Sequence, residues 1–345
     1  MGAELHLRTE REQFMAEISY ARDQLLDRRE RLNTVLHHTP NNPHLTSLLD
    51  QVDAALERVK NGSFGICEYC HDTIEADRLA CDPLIRFCID HMSREQRGAL
   101  EQDLALAANM QSGLLPPRDQ RFGDFEIAHH YQPLGPVSGD YCDVIRCPGG
   151  ELFLLVGDAS GKGVAASLLM TQLHAVFRSL IHCGIPLKEL MERANRVLCE
   201  GNGGRSFATL VCARISPSGL LEVSNAGHCP PLVVRRPEVT RIEAASLPLG
   251  MFTDVQYDVE CRQLDSGDTL ILYTDGVTET RDHDDEYGED RVLELLRRCC
   301  DFDPRSLVDA CVRDVARFRG PSPATDDITL MAVQRRPATS SPPLS

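Results

Sequence analysis

Tryptophan is missing from this chain of 345 residues, and aromatic residues make up only 5% of it. So few rings exclude a stacking platform for single-stranded nucleic acid. Basic charge is scarce as well. The formal net charge is −16, and residues 1–60, 61–112 and 113–345 are each net acidic. No segment carries the positive footprint that grips a phosphate backbone, so direct nucleic-acid binding is not expected. An acidic chain still binds phosphate when its carboxylates hold divalent cations. Long apolar runs are lacking too: the longest strongly apolar stretch, Leu152 to Val156, is far short of the ~20 residues a membrane span needs. The first 30 residues are rich in charge and have no apolar core of an export signal. A cytoplasmic setting follows, in which the 14 cysteines read as thiols or metal ligands rather than disulfides.

Two common catalytic motifs are absent. No G-x-S-x-G occurs, which removes the usual serine-hydrolase elbow. The segment VGDASGKG is not a P-loop, because Val156 stands where Gly is required and Gly163 follows Lys162 where Ser or Thr is required.

What is present divides by texture. In residues 1–60, Phe14, Ile18, Ala21, Leu25, Arg28, Leu32 and Val35 recur at spacings of four and three, as do Leu45, Leu49, Val52, Leu56 and Val59. Each series is a helix with one apolar seam. The HTPNNPH segment around Pro40 and Pro43 is a turn, so the pair predicts a helical hairpin or a dimerising coiled coil. Residues 61–92 are a compact Cys-rich knot. Residues 93–115 return to helix and stop at Pro116-Pro117. Residues 116–336 alternate β-type runs (Phe125 to His130, Leu152 to Gly157, Phe207 to Ile215, Thr269 to Tyr273, Ile328 to Val333) with helical stretches near 164–182, 187–200, 289–300 and 305–318. This mixture predicts an α+β layered domain. The small, polar, Pro-rich residues 337–345 read as a disordered tail.

Within the knot, Cys67-Glu-Tyr-Cys70 and Cys88-Ile-Asp-His91 are two ligand turns. Each places two soft donors on one side of a bend, and two such turns fill the tetrahedral shell of a single structural zinc. Cys81 is a rival to His91 for the fourth position. The hairpin followed by FGICEYC and FCIDH resembles the DksA/TraR family of bacterial zinc-finger proteins over roughly residues 1–95. In that family an acid-tipped hairpin enters the secondary channel of RNA polymerase. The tip here, HHTPNNPH, carries no acid, so a sensing, docking or dimerising module is expected.

Four Asp motifs carry the chemistry of the C-terminal region: VSGDYCDVI with Asp140 and Asp143, LLVGDASGKG with Asp158, LILYTDGVTET with Asp275, and TDDITLMAV with Asp326 and Asp327. A single Asp beside Gly is ordinarily a turn residue. Four such motifs at the ends of β-type runs point instead to carboxylates converging in one cleft. Hard oxygen ligands of this kind select magnesium or manganese. Asp143 and Asp327 read as hydrogen-bonding neighbours rather than ligands. His228, in NAGHCPPL, reads as a turn residue that orients its loop, and His174 as packed core.

The ordered set SGDYCDVI, VGDASGKGVAASLLM, FATLV, NAGHCPPL, LPLGM, YTDGVTE and DDIT, entered through MQSGLLPP, resembles the metal-dependent type 2C Ser/Thr phosphatases in their bacterial SpoIIE/RsbU branch, from about Ala107 to Gln334. The resemblance implies a β-sandwich flanked by helices with two Mn or Mg ions. It implies that Asp158 bridges them, that the Ala159 carbonyl binds one, that Asp275 and Asp326 hold the other, and that Asp140 ligates directly or through water. It also implies hydrolysis of phosphoserine or phosphothreonine on a protein, in this branch an anti-sigma-factor antagonist, under control of the preceding module and linker helix. The competing expectation is a zinc-finger transcription adaptor carrying a non-catalytic phosphatase-like domain.

Overall fold

A computed structural model describes residues 21–37, 42–202, 206–243 and 245–336. The expectations for Phe14 and Ile18, for the turn at Pro40 and for the 337–345 tail lie outside these residues, as does the side chain of Cys81. The chain divides into two compact units, Met1–Asp103 and Leu104–Ser345.

In the first unit, residues 21–37 (α1) and Pro43–Asn61 (α2) are helices. The Asn42 side chain caps α2 by accepting from the amides of His44 and Leu45, and Pro43 takes the first position, where a missing N–H costs nothing. Gly62, at φ 78°, ends the helix in the left-handed region, its amide bonded to the carbonyls of Arg58 and Val59. Ala21, Leu25 and Leu32 meet Val52, Ala55 and Phe64 in one apolar cluster. The seam is shorter than the spacing predicts. Val35 is exposed, and the Arg28 guanidinium lies 4.0 Å from the Asp82 carboxylate. A short helix, Ala76–Cys81 (α3), and a single 3-10 turn, Ile89–His91, belong to the knot. Helix α4, Arg94–Ser112, runs across the division between the units.

The second unit is a four-layer α-β-β-α sandwich. A six-stranded antiparallel sheet has the order β1 (Asp119–Phe122), β2 (Phe125–Gln132), β13 (Ile328–Arg335), β10 (Thr269–Tyr273), β7 (Leu232–Arg235), β8 (Glu238–Arg241). A five-stranded antiparallel sheet has the order β3 (Asp140–Arg146), β4 (Leu152–Ala159), β5 (Ala208–Ile215), β6 (Leu220–Ala226), β9 (Glu260–Gln263). Alternation along each strand sorts the side chains into two faces. Cys142, Val144, Leu154, Val156 and Val211 pack across the gap onto Ile127, Leu270, Leu272, Met331 and Val333. The opposite face of the five-stranded sheet buries Tyr141, Phe153 and Leu155 under helices α5 (Gly163–Ile181) and α6 (Leu187–Asn202). The six-stranded sheet buries Ile271, Tyr273 and Leu330 under a one-turn helix α7 (Asp275–Thr278), α8 (Gly288–Arg298) and α9 (Pro304–Arg319). Between α7 and α8, β11 (Arg281–Asp282) and β12 (Asp285–Glu286) form a small hairpin.

Two expectations change. Strand β3 carries Asp140 and Asp143 yet is buried through Ile145, so polar residues conceal a buried edge strand from a search for apolar runs. By length and composition α5 is long and apolar enough to cross a membrane, which a search for uninterrupted apolar residues overlooks. Here Leu169, Met170, Leu173, Phe177 and Ile181 of α5 are buried against the five-stranded sheet.

Candidate active site

Asp140 and Asp158 lie at strand ends, Asp275 just after β10 and Asp326 just before β13. Asp140 opens β3 and Asp158 stands opposite it as its register partner on β4. Two glycines let the chain segments close in. A Cβ at Gly139 would sit 3.1 Å from both the Ala159 carbonyl and Oδ1 of Asp158. A Cβ at Gly276 would sit 1.8 Å from the Asp327 carbonyl, so no side chain fits where the TDG turn meets the DDIT segment. Strand pairing does the rest: β10 and β13 are hydrogen-bonded neighbours, which brings Asp275 and Asp326 to the same end of the sheet.

Asp140 is almost fully buried. Its Oδ2 accepts from the Thr274 hydroxyl at 3.0 Å and from the Thr329 hydroxyl at 2.5 Å. The two threonines also bond each other's backbone: the Thr274 amide donates to the Thr329 carbonyl at 3.0 Å, and the Thr329 amide to the Thr274 hydroxyl at 3.0 Å. Asp140 is thereby fixed to both β10 and β13. Burial pushes its carboxyl well above the usual range; the threonine hydroxyls oppose this, and the charges of Asp158 and Asp327 add to it. Burial, then the charges of Asp275, Asp326 and Asp327, push Asp158 up to about 7. Asp275 is raised by burial and by Asp326. Burial together with neighbouring carboxylates raises all three acids, the pattern of a cleft in which negative charge outweighs positive.

Asp327 does different work. Its Oδ1 accepts from the Leu134 amide at 2.6 Å, and its Oδ2 from the Ser138 hydroxyl at 2.7 Å and the Gly139 amide at 3.0 Å. It clamps the 134–139 loop onto the start of β13. Asp143 is fully buried on the helix-facing side of β3, held by both Arg178 nitrogens at 2.8 and 2.9 Å, with His174 3.8 Å away. His228 is buried, its Nδ1 2.8 Å from the Thr209 hydroxyl and its backbone bracketed by Asn225. Burial pushes its imidazole down to about 4, which keeps it neutral.

Several residues of the site escape a reading of the sequence. Thr274 and Thr329 flank aspartates, the one available signal. Gln111 offers none: its buried side chain donates to the Ser138 carbonyl at 2.7 Å and accepts from the Ser138 amide at 3.0 Å, while the Ser138 hydroxyl also accepts from the Asp140 amide at 3.0 Å.

In the first unit, the ligand atoms of Cys67, Cys70, Cys88 and His91 all lie within 4.8 Å of one another, the one such His/Cys/Asp/Glu group among the described residues. The Cys70 and Cys88 sulfurs are 3.7 Å apart, close to the roughly 3.8 Å edge of a tetrahedron with ~2.3 Å zinc–sulfur bonds. Tyr69 stacks on His91 with ring centroids 4.4 Å apart. The donor chemistry and the spacing both fit one zinc ion. The aspartates offer hard oxygens only, which fits magnesium or manganese.

The two-sheet sandwich with helices on both faces is the fold of PP2C phosphatase domains. The SiaA-PP2C domain of Pseudomonas aeruginosa superposes with a TM-score of 0.62 over 70% of this chain and 99% of that one, at 20% identity. The RsbU and RsbW domains of a Mycobacterium tuberculosis protein give a TM-score of 0.53 at 30% identity, over 61% of this chain and 60% of that one. The chain belongs to the SpoIIE family, described as Stage II sporulation protein E, which it matches over residues 148–336. A curated relative, phosphoserine phosphatase RsbU of Bacillus subtilis, is 28% identical over 185 residues, 53% of this chain and 55% of that protein. The chain thus spans about half the length of that relative.

The Gly276 contact is directly testable. Gly276→Ala forces Asp327 away and costs about 1–3 kcal/mol as overpacking, or roughly 3–10 °C in the Tm of the second unit. Gly98→Ala, with open space around its Cβ, leaves Tm unchanged or slightly raised. Thermal denaturation of both variants reads the difference.

Proposed function

We propose that the second unit is a metal-dependent protein phosphatase that hydrolyses phosphoserine or phosphothreonine on a regulatory protein. The observation that carries this reading is that Asp158 and Asp275, in a cleft assembled from three distant chain segments, are each raised first by burial and then by a neighbouring carboxylate. Asp158, Asp275, Asp326, the Ala159 carbonyl and Asp140 are the groups that would hold two Mn or Mg ions. Bound there, such ions supply Lewis-acid charge and a water acidic enough to attack phosphorus at neutral pH. The protein contributes position. Thr274 and Thr329 fix Asp140, Asp327 fixes the loop that leads into it, and Gly139 and Gly276 let the carboxylates approach. The SpoIIE/RsbU resemblance makes a phosphorylated anti-sigma-factor antagonist the leading substrate, and a cytoplasmic setting goes with it. Phosphopeptide hydrolysis with manganese tests the reading. Asp158→Asn and Asp275→Asn are each expected to lower turnover by about a hundredfold or more, the scale of losing one preorganised electrostatic group, with Tm maintained; unchanged turnover would refute it.

The first unit is proposed as a DksA/TraR-like finger with one structural zinc on Cys67, Cys70, Cys88 and His91. The supporting observation is the 4.8 Å convergence of these donors. Zinc analysis of purified protein is expected to give one equivalent, lost in Cys67→Ser along with the cooperative unfolding of this unit, because metal binding and folding are coupled in small metal domains. An equivalent retained by Cys67→Ser rules the site out.

We further propose that the finger and hairpin, through partner docking or homodimerisation, regulate the phosphatase through α4. Gln111 near the end of that helix is bonded at two points to Ser138, which in turn touches Asp140 and Asp327. The expected signature of Gln111→Ala is weaker manganese binding with Asp158 and Asp275 intact, by roughly fivefold to tenfold for one lost buried amide pair. Calorimetric titration with manganese checks it. Equal affinity would remove Gln111 from the coupling.

A further inference from the structure

Lys162 sits where a lysine brings the helix no benefit. It is the N-cap residue of α5 and makes no side-chain capping bond. Ser, Thr, Asp or Asn there would satisfy a free helix amide, and a cation opposes the positive end of the helix dipole. Its ammonium is engaged elsewhere. It reaches from the DASGKG turn to the segment before β13, donating to the Thr325 carbonyl at 3.1 Å and lying 3.7 Å from Oδ2 of Asp326. Among the described residues it is the one Lys or Arg that ion-pairs with Asp140, Asp158, Asp275 or Asp326. Its charge is felt at Asp275 as well, against burial and Asp326.

We propose that Lys162 is an internal competitor for divalent cations, a tethered positive charge set against any ion that Asp326 and Asp275 take up. The proposal rests on the metal-dependent reading of the cleft. A cation coordinated by Asp326 must share that carboxylate with the ammonium or displace it, and the repulsion on a divalent ion is twice that on a monovalent one at the same distance. The competition is graded rather than blocking, because the Lys162 side chain is 69% exposed and turns into water at small cost. Its effect is to hold cation affinity down, so that occupancy follows small changes in the geometry of the acids. A lysine that merely braced the loop through the Thr325 carbonyl would act in the opposite direction: its removal would loosen Asp326 and weaken cation binding.

The sign of the change therefore decides. Isothermal titration with manganese alone is made on the full chain, on Lys162→Gln and on Lys162→Arg, with Asp158→Asn as the reference for uptake outside the cleft. Lys162→Gln is expected to bind manganese roughly threefold to tenfold more tightly, the scale of a partly exposed charge acting on a divalent ion, and Lys162→Arg to stay near the parent. The gap between parent and Lys162→Gln is expected to shrink between about 50 and about 500 mM KCl as the screening length falls. Unchanged or weaker binding by Lys162→Gln, or a gap indifferent to salt, overturns the proposal. A parent chain that takes up no more manganese than Asp158→Asn overturns both this proposal and the metal-dependent reading beneath it, whereas clear parent uptake with an unresponsive Lys162→Gln overturns this proposal alone.

Discussion

Negative charges held together in a poorly solvated cleft are the constraint around which the second unit is organised. Asp158 and Asp275 each suffer from burial and from neighbouring carboxylates, and nothing in their own chemistry draws them together. Rigid backbone holds them: antiparallel pairing fixes Asp140 opposite Asp158, β10 and β13 lie side by side, and Gly139 and Gly276 admit contacts that any side chain would prevent. An electrostatically unfavourable arrangement persists only where packing overdetermines it. Here the packing consists of three apolar layers, one between the sheets and one under each helical face.

The hydrogen-bond network behind the acids is as informative as the acids themselves. Asp327, Ser138 and Gln111 join the end of α4, the 134–139 loop and the start of β13 into one chain of bonds that is buried at Gln111 and opens to solvent at Leu134. Each carboxylate oxygen and each amide in that chain has a defined partner, which is what a buried polar network needs to rigidify rather than weaken a core. The same chain links the end of α4 to the residues nearest Asp140.

How much of this was readable in advance depended on the distance over which each residue acts. Asp158 and Asp275 stand out because an apolar run precedes each and glycine follows nearby, and both signals are local. The Cys67–Cys70 and Cys88–His91 turns are local too, each spanning four residues. Strand β3 hides because Asp140 and Asp143 interrupt its apolar pattern, although Asp143 is matched by Arg178, 35 residues further on. Gln111 reads as one more residue of a helix seam, since Ser138, which explains it, is 27 residues away. Lys162 draws attention only as a misfit to the P-loop pattern, because the carbonyl and carboxylate that engage it lie more than 160 residues along the chain. Val35 fails in the other direction: its periodicity is correct, but it stays exposed.

Strand β13 has a consequence for how the molecule comes into being. It is the farthest strand along the chain among the described residues, yet it lies inside its sheet, between β2 and β10. Until it inserts, β2 and β10 each present an unpaired edge, and the interlayer core lacks Met331 and Val333. Strand β3 cannot yet anchor Asp140 to Thr329, nor the 134–139 loop to Asp327. During synthesis the ribosome must therefore release residues past Arg335 before a competent cleft exists. Any nascent or clipped product ending sooner has an open sheet and scattered acids, a form exposed to chaperones and proteases.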